Sequence, residues 1–433
     1  MATPGVNSTT VAPAAFIRNL RWYVCGLLLL GLGVNYIDRQ TFAILAPDLQ
    51  RRIGWNELQY SRLVNSFQIA YAVMTLMTGW IIDRVGTKWG LAVAMVWWSL
   101  AEAAHALAST VTQFGVARFF LGAGEAASMP ASVKAIGEWF PTKERALATG
   151  LLNAATTVGG VVAPAVVPLA AAVWGWQGAF LVTGAVGFVW LALWLRLFGQ
   201  PRDHPRISPE ERALILEGPA QASPASGAAA WWSLFRHRQL WAHAGSRIIT
   251  DPVYWFLLYW TPKFLAENHQ IRGTAVIPYL ATAYTISGIG SILGGYLSSA
   301  FLRLGWTVNR ARKTAMILLA ACIPFVIFAS HASSAWTAVL LIGMALAVHQ
   351  GWAANNFTLI LDMFPARAAG SVFGIGGCLG LFSGIVAAEF IGRILQRDPS
   401  YYLPMFIFSG GAYLAGTLWI HVLAPRLEPA KMG

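Results

Sequence analysis

The chain has 433 residues, 57% of them hydrophobic and only 11% charged, with 20 tryptophans, a mean hydropathy of +0.56 and a formal net charge of +12. Soluble domains carry about a quarter charged residues, so a string of soluble domains is excluded. A disordered chain is excluded by apolarity, collagen by the lack of a Gly-X-Y period, and a disulfide scaffold by the presence of only three cysteines.

Apolar stretches long enough to cross a hydrocarbon core of about 30 Å recur at 20–45, 58–82, 87–108, 111–135, 144–170, 176–197, 239–265, 274–302, 312–330, 335–361, 367–392 and 401–424. They predict an all-α polytopic membrane protein with twelve transmembrane helices. The residues ahead of Leu20 lack a signal-peptide cleavage pattern, so the first stretch is expected to be a retained helix. Short cytoplasmic loops collect Lys and Arg. With the N-terminus inside, the inner segments hold 20 of the 30 basic residues and the outer ones six; Arg39, Arg62, Arg118 and Arg247 fall within the spans. Both termini are therefore expected in the cytoplasm. The positive charge reads as a topology signal against anionic lipid headgroups, with no nucleic-acid partner.

Between the sixth and seventh spans, Ser208-Pro209-Glu210-Glu211 has the pattern of a helix N-terminus. A short surface helix to about Glu217 is predicted there, followed by a flexible Pro/Ala/Ser linker. This gives an N-terminal six-helix bundle (1–197), a cytoplasmic central loop (198–235) and a C-terminal six-helix bundle (236–433). The segment Glu138-Trp139-Phe140-Pro141-Thr142-Lys143 after the fourth span reappears as Asp362-Met363-Phe364-Pro365-Ala366-Arg367 after the tenth, an offset of 224. The equivalent placement predicts two pseudo-symmetric halves, an arrangement that builds rocking-bundle transporters with a central site.

A charge at the centre of a span costs at least about 2.5–3.5 kcal/mol, so Asp38, Arg39, Arg118 and Glu125 need a purpose. Arg118 and Glu125 lie seven apart, about 10 Å along one helical face. That face holds a cation and a titratable acid in one place. Asp38 and Arg39 are adjacent and point about 100° apart, so they address different partners, such as Asp38 to Arg118 and Arg39 to a substrate. A guanidinium stays charged and grips an anion with a planar fork, which makes Arg39 the candidate for a carboxylate. Glu125 is the candidate proton carrier and Asp38 a second titrating or gating acid. The alternatives are that Arg39 is a static partner of Asp38, and that Arg118 and Glu125 form a permanent lock. Glu102 and His105, three apart in the third span, form either an extra proton relay or a structural pair. Arg247 and Asp251, four apart in the seventh, read as an intrahelical pair.

Gly79-Trp80-Ile81-Ile82-Asp83-Arg84-Val85-Gly86-Thr87-Lys88, between the second and third spans, resembles the signature cytoplasmic loop of the major facilitator superfamily. The resemblance implies the major facilitator fold and a cytoplasmic charge latch of Gly79, Asp83, Arg84 and Lys88. Asn35-Tyr36-Ile37-Asp38-Arg39, the run from Arg118 to Ala126, the run from Arg247 to Phe256, and Asp362 to Pro365 with Gly370 to Gly377 resemble the bacterial anion:cation symporters. The likeness is to their hexuronate transporter branch, with the D-galactonate transporter as a more distant relative. It implies proton-coupled import of a sugar acid, with Arg39 on the carboxylate, Tyr36 and Tyr71 lining the site, and Arg118, Trp352 and Asn355 beside them; Tyr254 falls where relatives often carry Trp and is taken as a further lining residue, and Asn153 in the fifth span is an added candidate. No cofactor beyond the coupling proton and no metal is expected. The expected partners are a small organic anion and the bilayer, with the chain a monomer. Arg outnumbers Lys 24 to 6, as in a GC-rich bacterial genome, so the bacterial inner membrane is the expected location. Efflux or exchange of another organic anion uses the same fold. An enzyme is disfavoured, since His-Glu-x-x-His, Gly-x-Ser-x-Gly and a phosphate loop are all missing. A channel would need a continuous polar lining, and a sensor would need a larger soluble segment.

Overall fold

The computed structural model describes residues 16–216, 232–364 and 366–430. Gly79, Asp83 and Asn153, together with the linker after the surface helix, lie outside the described side chains and segments. Among the described residues the chain is helical throughout, apart from one bridge between Ile17 and Ile207.

The N-terminal half comprises α1 (Leu20–Ile53), α2 (Glu57–Val85), α3 (Thr87–Ala104), α4 (Val111–Glu125), α5 (Ser128–Trp139) and α6 (Thr142–Leu197). The expected fourth span is thus two helices that break at Ala126–Ala127. Helix α6 covers the fifth and sixth spans, which part at Gly175, where a φ of 72° suits a residue with no Cβ. A surface helix, α7 (Pro209–Leu216), ends within a residue of its expected bound. The C-terminal half follows with α8 (Arg238–Asn268), α9 (Ile277–Arg303), α10 (Val308–Cys322), α11 (Ala335–Met363), α12 (Ala366–Arg397) and α13 (Leu403–Leu423). Every span expected from hydropathy is helical. Among the described residues, eight helical stretches are long and apolar enough to cross a membrane by length and composition alone; α4 and α5 fall outside that set because they are only 15 and 12 residues long, and α2 and α8 because polar and charged residues interrupt them.

Helix ends follow local chemistry. Asn56 and Gln59 at α2, and Thr110 and Gln113 at α4, form reciprocal capping boxes that satisfy otherwise orphan amides. Pro324 lies where α10 gives way to a 3-10 turn, Ile323–His331. Large apolar side chains such as Leu76, Val93, Ile292 and Val422 face outward, whereas Asp38, Arg118 and Glu125 are fully buried. That inversion is the pattern of a bundle solvated by lipid.

The repeated acidic motif has equivalent roles in the two halves. Glu138 accepts a hydrogen bond from Thr87 Oγ1 (2.8 Å) at the start of α3, and Asp362 pairs with Arg312 (3.3 Å) in the first turns of α10. In each half the acid ties the end of one span to the beginning of the one before it. On this same terminal face, Glu211 of α7 accepts from the Leu20 and Arg21 amides (2.9 and 3.1 Å) and from the Arg21 guanidinium (2.8 Å). Arg21 also donates to Glu144 (2.7 Å). The surface helix is thereby pinned to the starts of α1 and α6.

Candidate functional site

The site grows from the middle of α1. Arg39 Nε donates to Glu125 Oε2 of α4 at 2.7 Å, with both side chains buried. The guanidinium lies over the rings of Tyr71 (4.6 Å), Tyr36 (5.0 Å) and Phe67 (5.3 Å), so aromatic faces stabilise the charge where water is scarce. Arg118, one helix face away, stacks on Phe67 (4.5 Å) and Phe42 (4.7 Å) and donates through Nη2 to Tyr259 Oη (3.1 Å). Tyr259 belongs to α8, so this bond joins the two bundles. Arg118 Nε and Nη1 have no protein partner, and neither oxygen of Asp38 has one.

These contacts differ from the expected pairing. Arg118 and Glu125 share a helix, yet Glu125 binds Arg39 of a neighbouring helix, and Asp38 bonds to neither Arg118 nor Arg39. The reason is side-chain direction: a residue on α4 reaches the facing helix more directly than a residue two turns away on its own.

Beside Arg39 the two bundles leave a nearly closed cleft of about 10 Å³, lined by Tyr36, Gln40 and Thr157 of one half and Tyr254, Leu258, Tyr284, Ser287, Leu346 and Gln350 of the other. Tyr254 stacks on His349 (4.6 Å), whose Nδ1 is 2.5 Å from Tyr413 Oη. Gln40, Tyr284 and Ser287 were not singled out from the sequence, whereas Gln350 stood among the polar residues of the tenth span; each is an uncharged polar side chain well inside a helix, which was the available signal. Close approach of helices shapes the cleft: a Cβ on Gly159 would sit 2.5 Å from Tyr36 Cβ, and one on Gly160 would sit 3.1 Å from the Tyr284 ring.

Trp352 and Asn355 do not line this cleft. Trp352 Nε1 donates to Thr417 Oγ1 (2.8 Å), and Asn355 Nδ2 donates to the Gly294 and Gly351 carbonyls (both 2.9 Å). Both are turned into the C-terminal bundle, where they tie α11 to α13 and α9. Arg247 and Asp251 form the expected intrahelical pair (2.7 Å). Of the latch residues, Arg84 is exposed and Lys88 is half-buried, its carbonyl accepting from Trp194 Nε1 (3.0 Å).

One further contact lies on the face opposite the chain ends. Lys263 Nζ of α8 is 2.6 Å from both carboxylate oxygens of Glu57 and 2.5 Å from Gln50 Oε1, and it sits 4.4 Å above the Tyr60 ring. Tyr60 Oη donates to the Tyr259 carbonyl (2.7 Å). These bonds close the far side of the bundle interface.

Two bundles enclosing a buried cation and acid at their shared face define a membrane transporter. The profile of the Major Facilitator Superfamily matches residues 28–388, and the chain belongs to that superfamily, a family of transporters rather than enzymes. The chain is 31% identical to the hexuronate transporter of Escherichia coli strain K12 over 421 residues, covering 96% of this chain and 97% of that one. It is 35% identical to the galacturonate transporter of Dickeya chrysanthemi over 287 residues, 66% and 83% of the two chains. A probable L-galactonate transporter of E. coli strain K12 is 30% identical over 93% of this chain and 89% of its own length. Among solved structures, the fold matches a bacterial homologue of the human lysosomal transporter Spinster in an inward-facing, unoccupied conformation. There the TM-score is 0.72 with 19% identity, over 94% and 96% of the two chains.

Proposed function

We propose that the protein is a proton-coupled symporter that imports a sugar-acid anion, a hexuronate such as glucuronate or galacturonate or a related aldonate or aldarate, by alternating access. The observation that carries this reading is the buried Arg39–Glu125 pair beside an aromatic-walled cleft at the bundle interface. Breaking a buried ion pair by removing one partner leaves an uncompensated charge and costs about 3–5 kcal/mol. Protonating Glu125 releases Arg39, and a substrate carboxylate then supplies the missing anion. Proton and substrate thus replace one internal pair, and neither is well accommodated without the other. Tyr36 and Tyr254 offer hydroxyls and flat faces from opposite bundles, and Gln40 and Gln350 offer amide donors and acceptors; together these suit a polyhydroxylated ring.

The relatives' names point to the same substrates. The excess of basic residues in the inner loops supports a reading with both chain ends on the cytoplasmic side of a bacterial inner membrane, and in that orientation the closed far side faces outward. Thermal unfolding of the purified protein across a panel of sugar acids, neutral sugars and organic cations tests the reading. Stabilisation by hexuronates and not by glucose supports it. Stabilisation only by uncharged sugars or cations would overturn the anion assignment.

A further inference from the structure

The helix faces that line the cleft continue beyond it onto a single contact. From α8 the cleft takes Tyr254 and Leu258, and from α11 it takes Leu346 and Gln350. Seven residues make two helical turns and about 10 Å of rise. Two turns from Tyr254 towards the start of α8, the same face carries Arg247, and two turns from Gln350 towards the end of α11, the same face carries Phe357. Both steps lead to the face of the chain ends. There Gln239, near the start of α8, donates to the Glu428 carbonyl (3.5 Å), and the Met363 carbonyl at the end of α11 accepts from the Ala430 amide (2.8 Å). The two positions meet: the Arg247 guanidinium lies over the Phe357 ring at 5.4 Å, and over that of Phe373 on α12 at 5.8 Å.

Arg247 is only partly used by its acid. Its Nε and Nη2 both donate to one oxygen of Asp251, Oδ2, at 3.0 and 2.7 Å, whereas Nη1 is buried without a protein partner. A guanidinium carries five N–H donors in one plane, so its edge towards Asp251 is filled and its Nη1 end is left for another anion. Helix α12 leaves the room: a Cβ on Gly377 would sit 3.3 Å from Nη1, and one on Gly380 would clash with Asp251. The Arg247 and Asp251 side chains are 16% and 11% exposed, against 5% and 0% for Arg39 and Glu125, so this pair is accessible where the cleft pair is sealed.

We propose that Arg247, flanked by Phe357 and Phe373, is a second, transient anion subsite, which takes the substrate carboxylate from the cleft and passes it on towards the chain-end face. Passage of an ion needs sites that bind well enough to receive it and weakly enough to let it go. Asp251 supplies the weakness. It neutralises Arg247 and occupies the Nε edge, so an arriving carboxylate gains the Nη1 end and must compete for Nη2. The inference rests on the sugar-acid reading above and adds a step to the route of that anion.

Purified protein and proteoliposomes test it, with galacturonate as the probe. Asp251→Asn leaves Arg247 without its carboxylate. The galacturonate concentration for half-maximal thermal stabilisation should then fall more than about threefold below wild type, and counterflow should slow because the anion is held. Arg247→Gln combined with Asp251→Asn removes the subsite and leaves no isolated buried charge. Its half-maximal concentration should stay within about threefold of wild type, set by Arg39, while counterflow falls more than about threefold. Binding by Asp251→Asn that is not tightened to that extent, or counterflow by the double variant within threefold of wild type, would overturn the inference. Loss of galacturonate binding by the double variant would make the pair a support of the central cleft and overturn it too. Should Asp251→Asn fail to insert, the double variant decides alone. Wild-type protein that galacturonate does not stabilise would instead defeat the sugar-acid reading, and this subsite with it.

Discussion

Lys263 and Glu57 form a buried ion pair across the two bundles, with Nζ 2.6 Å from both carboxylate oxygens and both residues at most 4% exposed. The bundle-to-bundle hydrogen bonds of Tyr60 and Lys263, with that of Leu58 to Gln396, gather on the face opposite the chain ends. For a transporter that opens alternately to each side, this pair must part whenever that face opens.

Glu57→Gln should therefore favour the state open on the far face. Spin labels at the exposed positions Arg52 and Arg397, one on each bundle, should report a longer mean separation than in the otherwise wild-type protein. Lys263→Ala leaves Glu57 buried without its cation and should lower stability by about 3–5 kcal/mol, read as a drop in unfolding temperature. The double variant Glu57→Gln, Lys263→Gln should recover part of that loss, because no isolated charge remains.

Glu125→Gln separates coupling from binding. The neutral amide imitates the protonated acid, so Arg39 is free for substrate in every step of the cycle. Counterflow of galacturonate should persist while accumulation driven by a pH gradient disappears. Loss of folding in this variant would instead favour a purely structural pair.

Arg39→Lys keeps the positive charge but loses the planar fork and its stacking on Tyr36 and Tyr71. Hydrogen bonds to charged groups contribute about 1.5–3 kcal/mol. Apparent substrate affinity should accordingly fall at least about tenfold, measured as a higher KM or a weaker thermal shift, with unfolding of the substrate-free protein little changed.

Gly159→Ala probes the cleft wall. The added methyl would meet Tyr36 Cβ at 2.5 Å and the Gly33 carbonyl oxygen at 2.7 Å, and backbone on both sides leaves no flexible side chain to yield. Overpacking of this kind costs about 1–3 kcal/mol. Displacement of Tyr36 should weaken uptake, and Gly26→Ala, which meets nothing within 4 Å, serves as the control with normal uptake.

Much of the architecture was legible because hydropathy reports directly on lipid exposure; each of the twelve spans emerged as helix. The breaks were less so. Ala126–Ala127 interrupts the fourth span without a proline or glycine between the two helices, and only packing explains it. Within the site, scarcity of charge singled out Asp38, Arg39, Arg118 and Glu125, but not who holds whom. Helical spacing put Arg118 and Glu125 on one face, with a lock between them as the alternative reading, whereas the observed partner of Glu125 is 86 positions away on another helix. Trp352 and Asn355 share a helix face, as spacing required, but the partners of that face are Thr417 and Gly294 rather than the cleft. Lys263 and Glu57 went unnoticed because each sits at a span end, where a charge is unremarkable; their significance comes from meeting 206 positions apart.

The central claim is that one buried exchange, Arg39 between Glu125 and a substrate carboxylate, couples proton and anion. Uptake of radiolabelled galacturonate by proteoliposomes with and without an inward proton gradient tests it most directly. The account predicts accumulation above the external concentration that collapses on adding a protonophore. Accumulation would be absent in Arg39→Ala and in Glu125→Gln. Equal uptake with and without the gradient, or gradient-driven accumulation that survives Glu125→Gln, would contradict it.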